Sequence, residues 1–291
     1  MYYAAMDRIG VVGCGLMGSG IAEVCARSGS DVIVVDVDDD RVAAGRSRIQ
    51  SSLDRAVRAG KLDAAGADEV MGRLRFECGV DGLGDRTMVF EAVIESEPDK
   101  IDVFRRLDAV VEDPDAVLAS NTSSIPIMKL AMATRRPHAV VGVHFFNPVP
   151  VLRLVELIPS LLTGAATVER AETFVAERLG KRVIRCQDRA GFVVNALLIP
   201  YLLSAIRMLE SGFATAEDID TGMVEGCAHP MGPLALADLI GLDTTAAVAE
   251  SLYAEFKEPL FAPPPLLSRM VEAGLLGRKT GRGFYDHGAR A

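Results

Sequence analysis

Apolar runs and helical periodicities alternate along the first two thirds of the chain. RIGVVG (8–13) is a short apolar run closed by glycine and predicts a buried strand. A Gly-rich turn follows, then apolar residues at helical spacing over 17–28, stopped by Gly29. DVIVVD (31–36) reads as a second buried strand, and 41–59 as a helix ending at Gly60. TMVFEAVI (87–94), AVLAS (116–120) and AVVGVHF (139–145) are further apolar runs, with helical stretches at 98–111 and 126–133 between them. LRLVELI (152–158) and KRVIR (181–185) predict two more strands around a helix at 167–179. Such alternation builds βαβ units and a mostly parallel sheet. After Asp188 the strand signal stops. Helical pattern remains at 191–211, 215–225, 233–240, 244–256 and 265–273. The predicted organisation is α/β, with one domain over 1–187 and an all-helical domain over 188–291.

Composition agrees with a two-domain globular chain: 291 residues, 49% hydrophobic and 24% charged. A net charge of −9 argues against a nucleic-acid binder, since phosphate backbones attract basic surfaces. The five cysteines are odd in number and form no C-x-x-C, which points to free thiols in a reducing, cytoplasmic setting with no metal site. The opening MYYAAMDR has no apolar signal-peptide region. Residues 190–206 carry no charge, but they include Asn195 and Pro200 and fall short of the roughly 20 residues of a membrane span. They are expected in a buried helix or at a subunit interface, not in a membrane.

Gly13-Cys14-Gly15-Leu16-Met17-Gly18 is G-x-G-x-x-G. It follows a predicted strand, opens a predicted helix, and has Asp36 at the end of the next strand, the context of a Rossmann-like dinucleotide site. Gly13 permits the tight turn, Gly15 lets the backbone approach a pyrophosphate, and Gly18 lets helix and strand pack closely. The pyrophosphate then rests on a helix N-terminus. Asp36 would accept from ribose hydroxyls and repel a 2′-phosphate, so NAD is expected over NADP. Cys14 lies at that same N-terminus, where a thiolate is stabilised; it is expected to be the thiol that NAD protects. The alternative is a small buried side chain that never reacts.

Arg41, Arg46, Arg48, Arg55, Arg58 and Lys61 face a single acid, Asp54, between residues 41 and 61. Each alone reads as a solvated position. Together they suit a polyanionic, nucleotide-tailed acyl carrier such as coenzyme A. Asn121-Thr122-Ser123-Ser124 ends one strand and His144-Phe145-Phe146-Asn147-Pro148 the next, so both open onto the crevice beyond the strand ends. Glu156 sits in the apolar run LVELI, where a carboxylate needs a partner. A histidine paired with a carboxylate is an acid/base arrangement; a lone strand-end histidine is more often a satisfied core residue.

GCGLMGSG, EAVIE, SNTSSI, HFFNPVPVLRLVELI, GFVVNALLIPYL, HPMGP, GLDT and GRKTGRGFY together resemble the L-3-hydroxyacyl-CoA dehydrogenase family, in its stand-alone short-chain bacterial form, over nearly the whole chain. The resemblance implies NAD-dependent, reversible oxidation of short-chain L-3-hydroxyacyl-CoA, such as 3-hydroxybutyryl-CoA, to 3-ketoacyl-CoA. It implies His144 as acid/base, Glu156 as its partner, Ser123 on the reacting oxygen and Asn195 on the substrate. Glu95, Lys100, Asn121, Asn147 and Lys279 match positions near the cofactor, and Ser52, Arg58 and the neighbouring Lys61 the coenzyme A site. His229 is expected to be structural. Ala190 stands where the family often has proline. A homodimer through the helical domain is also implied. An acyl-carrier-protein-linked dehydrogenase, a dehydrogenase of another 3-hydroxy acid and a non-catalytic NAD-binding structural protein are the rival readings.

Overall fold

Strand β1 (Arg8–Val12), helix α1 (Leu16–Arg27) and strand β2 (Asp31–Asp36) form the first βαβ unit. After them come α2 (Asp39–Arg58), α3 (Ala64–Gly72), β3 (Leu74–Cys78), β4 (Met88–Glu91), α4 (Glu97–Val110), β5 (Val117–Ser120), α5 (Ile127–Ala131), β6 (Val140–Phe145), β7 (Leu154–Pro159), α6 (Ala165–Thr173) and β8 (Arg182–Arg185). The computed structural model describes residues 7–288, so the opening MYYAAM lies outside the described residues. The chain divides into two compact units, the first ending at Asp188 and the second beginning at Arg189.

The strands form one eight-stranded sheet in the order β3-β2-β1-β4-β5-β6-β7-β8. Every pairing is parallel except β6 with β7, where His144 lies directly opposite Glu156. The central strands are apolar on both faces because helices cover both, as a parallel sheet requires. Val11, Val34, Phe90, Val117, Val143 and Leu157 are all fully buried. Truncating Phe90 or Leu157 to alanine would cost roughly 2–5 kcal/mol.

Two elements were not predicted, α3 and β3. Helix α3 is short and capped by Asp63, whose carboxylate accepts from Gly66 N at 2.7 Å. β3 is an edge strand in which charged Arg75 and Glu77 alternate with Leu74, Phe76 and Cys78, so no apolar run marks it. The helix expected over 167–179 instead ends at Thr173 and widens into a π turn at Phe174–Arg178.

The second unit is built of α7 (Val194–Glu210), α8 (Ala216–Cys227), α9 (Pro233–Ile240), α10 (Leu242–Phe256) and α11 (Pro265–Glu272). Leu202, Leu203, Ile206, Leu234, Leu242, Leu252 and Leu267 fill its core. Two buried carboxylates organise it. Asp220 accepts from Leu234 N and Ala235 N at 2.8 and 2.9 Å, capping α9. Asp238 accepts from Phe284 N, Tyr285 N and His287 Nε2 at 2.9, 3.0 and 2.8 Å. GRKTGRGFY is glycine-rich because it wraps this carboxylate: a Cβ on Gly283 would stand 2.0 Å from Asp238 Oδ1. Among the described residues no helix is long and apolar enough to cross a membrane.

Candidate active site

The glycine turn between β1 and α1 is shaped for a ligand backbone to pass. Gly13 adopts φ +101°, and a Cβ there would lie 2.6 Å from Ala92 O. A Cβ on Gly18 would stand 1.8 Å from Gly13 O, so α1 could not pack against the turn. Gly15 is different: nothing lies within 4 Å of its Cβ position, which opens outward. A side chain there would fill the space a pyrophosphate needs. No side chain caps α1 and its first turn holds no acid, so its N–H groups face that space without a competing anion. The residues present therefore fit a dinucleotide. Asp36 closes the turn, accepting from Cys14 N at 2.6 Å and Val37 N at 2.8 Å.

Burial speaks against the expectation for Cys14. Its side chain is buried beneath the turn, and burial, reinforced by the charge of Asp36, pushes the thiol up to about 12. The helix terminus does not offset this, which favours the small buried side chain of the alternative reading.

At the carboxyl ends of β5 and β6 three predicted residues meet. His144 Nδ1 lies 2.7 Å from Glu156 Oε2, and its Nε2 lies 2.9 Å from Ser123 Oγ. His144 is 4% exposed and Glu156 is fully buried, while Ser123 stands at the rim. The pairing follows from the sheet, since the antiparallel β6–β7 ladder makes residues 144 and 156 direct neighbours. With Nδ1–H donated to the carboxylate, Nε2 is left to accept from the serine hydroxyl. Asn121 Oδ1 accepts from Phe145 N at 2.9 Å, tying the β5 end to the β6 end.

Glu95 and Lys100 join this cluster. The Glu95 carboxylate accepts from Thr122 Oγ1 at 2.6 Å, Ser123 N at 2.8 Å and Ser124 N at 3.1 Å. Burial alone would raise its pKa, but Lys100 and these hydrogen bonds outweigh burial and hold it below the ordinary carboxylate value. Lys100 is buried and pairs with Glu91 at 2.6 Å and with Glu95 at 3.4 Å.

A cleft of about 440 Å³ runs beside the turn, lined by Leu16, Ser52, Arg48, Arg55, Asn147 and Glu23 among others. It brings together Leu16 of the glycine turn, Ser19, Gly20 and Glu23 of α1, residues 147–150 beyond β6 and the seryl-arginyl face of α2. Arg58 and Lys61 are exposed further along and do not line it. The six basic residues of this region are not all free for a ligand. Arg48 Nη1 donates to Cys14 O at 2.9 Å, and Arg46 lies over the Phe76 ring at 5.8 Å. Arg55, read from sequence as one of the basic stretch, lies one helical turn from Ser52; Glu23 was not singled out from sequence.

On the second unit, Asn195 is half-buried near the start of α7. Lys279 is exposed and ion-paired with Asp243 in the first turn of α10. His229 Nδ1 lies 3.1 Å from the Tyr201 hydroxyl, consistent with a structural histidine.

Comparison with known proteins places this geometry. Residues 8–189 match the model of the 3-hydroxyacyl-CoA dehydrogenase NAD-binding domain, and residues 191–287 that of the 3-hydroxyacyl-CoA dehydrogenase C-terminal domain. The chain is 59% identical over 283 residues to a 3-hydroxybutyryl-CoA dehydrogenase of Mycobacterium tuberculosis, covering 97% of this chain and 99% of that one. It superposes on the crystal structure of M. tuberculosis FadB2 with a TM-score of 0.96, at 59% identity and covering 98% and 100% of the two chains. For (S)-3-hydroxybutyryl-CoA dehydrogenase PaaH1 of Ralstonia eutropha the TM-score is 0.92, at 44% identity with the same coverage. The chain therefore belongs to the 3-hydroxyacyl-CoA dehydrogenase family of NAD-dependent enzymes, with the family's NAD-binding domain followed by its C-terminal domain.

Proposed function

We propose that the protein interconverts short-chain L-3-hydroxyacyl-CoA and 3-ketoacyl-CoA thioesters, with 3-hydroxybutyryl-CoA and acetoacetyl-CoA as the working pair. The observation that carries this reading is the Ser123–His144–Glu156 relay, linked at 2.9 and 2.7 Å, at the end of the sheet where the glycine turn opens. NAD, when bound, supplies the hydride acceptor. His144 Nε2 takes the proton of the 3-hydroxyl, and Glu156 stabilises the imidazolium that forms. Ser123 Oγ holds the substrate oxygen as it becomes a carbonyl. In reduction His144 returns the proton. Much of the rate comes from holding these groups in near-attack geometry.

The Leu16, Met17 and Gly15 backbone with Asp36 would bind the dinucleotide, and Glu95, Lys100, Asn121 and Asn147 would border its reactive end. Ser52, with Arg55 beside it in the cleft, would receive the coenzyme A arm, with Arg58 and Lys61 contributing charge. By family resemblance Asn195 contacts the substrate, Lys279 the cofactor, and the helical region over 188–291 supplies the substrate and dimer contacts. Exposed Leu197 and Phe213, at 73% and 79%, support a homodimer, to be checked by light scattering in solution. An acyl-carrier-protein substrate is the second reading, since both carriers present a phosphopantetheine arm.

Loss of absorbance at 340 nm with acetoacetyl-CoA and NADH tests the activity. His144→Ala should lower kcat by about 10²–10⁴-fold while NADH still binds. Absence of turnover by the unaltered protein would refute the reading, and turnover only of acetoacetyl-acyl-carrier-protein would favour the second.

A further inference from the structure

Besides Glu156, a second carboxylate in the first unit is fully buried. Glu91 ends β4 in the EAVIE run and is 0% exposed. Its Oε1 accepts from Lys100 Nζ at 2.6 Å and from Val93 N at 2.8 Å. Its Oε2 accepts from Ser120 Oγ at 2.6 Å, across the β4–β5 register that sets residue 91 opposite residue 120. A buried ion pair is seldom a net gain over an apolar pair of the same shape. The arrangement calls for an explanation beyond stability.

We propose that Glu91 is a positioning residue for Ser123 of the relay. Two routes lead from its carboxylate to that serine. Along one, Ser120 Oγ, held by Glu91, accepts from Thr122 N at 3.2 Å and fixes the start of the turn. Along the other, Glu91 keeps Lys100 at 2.6 Å, leaving it 3.4 Å from Glu95. Glu95 is thereby left to the turn, where Thr122, Ser123 and Ser124 all donate to its Oε1. Without the charge of Glu91, Lys100 has only Glu95 as a counter-ion. It then draws that carboxylate away from the turn that aims Ser123 Oγ at His144 Nε2. The effect of Glu91 on turnover passes through the turn.

The inference rests on the dehydrogenase reading, and a double-mutant cycle on the full-length protein tests it. Acetoacetyl-CoA reduction by NADH is measured for wild type, Glu91→Gln, Ser123→Ala and the double variant. Ser123→Ala alone should lower kcat by about 10²-fold. In the Glu91→Gln background the same change should cost at least about tenfold less, because the serine is already misplaced. Losses that simply multiply would overturn the proposal and leave Glu91 a structural partner of Lys100. Should Glu91→Gln fail to fold, Glu91→Asp takes its place in the cycle, since the shorter side chain draws the carboxylate back from both Ser120 and Lys100. Non-multiplicative losses with Ser123→Ala would again support the proposal, and multiplicative ones would overturn it. A wild type that does not turn over would refute both readings; an active wild type with multiplicative losses refutes only this one.

Discussion

At the scale of single residues, the sharpest question is what Glu156 does for His144. The carboxylate is fully buried and 2.7 Å from the ring, so its charge acts on the imidazole with little screening by water. Glu156→Gln keeps the shape and a hydrogen-bond acceptor but removes that charge. Without it the imidazolium that forms as His144 takes the substrate proton has no counter-charge, so kcat for hydroxyacyl-CoA oxidation should fall by about 10²-fold with the fold intact. Steady-state rates beside thermal melts, wild type against Glu156→Gln, check this; near-normal turnover would sink the pairing. His144 and Glu156 were legible in the sequence because one stands at the end of an apolar run and the other inside one, whereas Ser123, three residues beyond the run 116–120, was marked out by the family resemblance. Glu91 was not singled out. It too ends an apolar run, but its partners Lys100 and Ser120 are distant in sequence and only the sheet brings them together.

The glycine turn is the element where prediction and structure meet most closely, and it separates two kinds of glycine. Gly15 has φ −64° and an open Cβ direction, so Gly15→Ala should fold as well as wild type yet weaken NADH about tenfold, or ~1.4 kcal/mol. Gly18→Ala would press a methyl group to 1.8 Å from Gly13 O, so it should lower the melting temperature as well as affinity. Fluorescence titration with NADH beside thermal melts distinguishes them. Equal melting losses in both variants would contradict the assignment. Elements without such punctuation were harder to read. β3 and α3 escaped because LRFEC alternates charge with apolar residues on a half-covered edge. The basic stretch of α2 was legible as charge but not as contacts, since the commitment of Arg46 to Phe76 and of Arg48 to Cys14 depends on tertiary packing.

Across the whole first unit, acid tolerance should depend on carboxylates that bind several donors at once. Asp108 of α4 accepts from Arg135 Nε at 2.8 Å, Arg135 N at 3.1 Å and Arg136 Nε at 2.9 Å. Burial works to raise its pKa, but the two arginines prevail and hold it below the ordinary carboxylate value. A lowered folded-state value means that its contribution is complete above the unfolded value, about 3.9, and drains away as pH falls through the folded one. Asp108→Asn should thus cost about 1.5–3 kcal/mol at neutral pH. The gap from wild type should close in acid. Urea unfolding at pH 7 and near pH 3 checks this, and a gap independent of pH would count against it.

The reversal of direction between β6 and β7 has a consequence for how such a protein can change over time. Because the ladder sets residue 144 against 156, their alignment belongs to the sheet and not to the connection at 146–153. Only a slip in register would part them. Val151 and Leu152, 62% and 42% exposed, mark a place beyond Asn147 where that connection can be lengthened or its side chains changed while histidine and glutamate stay together. Variation there can retune what enters the neighbouring cleft while the chemistry is inherited unchanged.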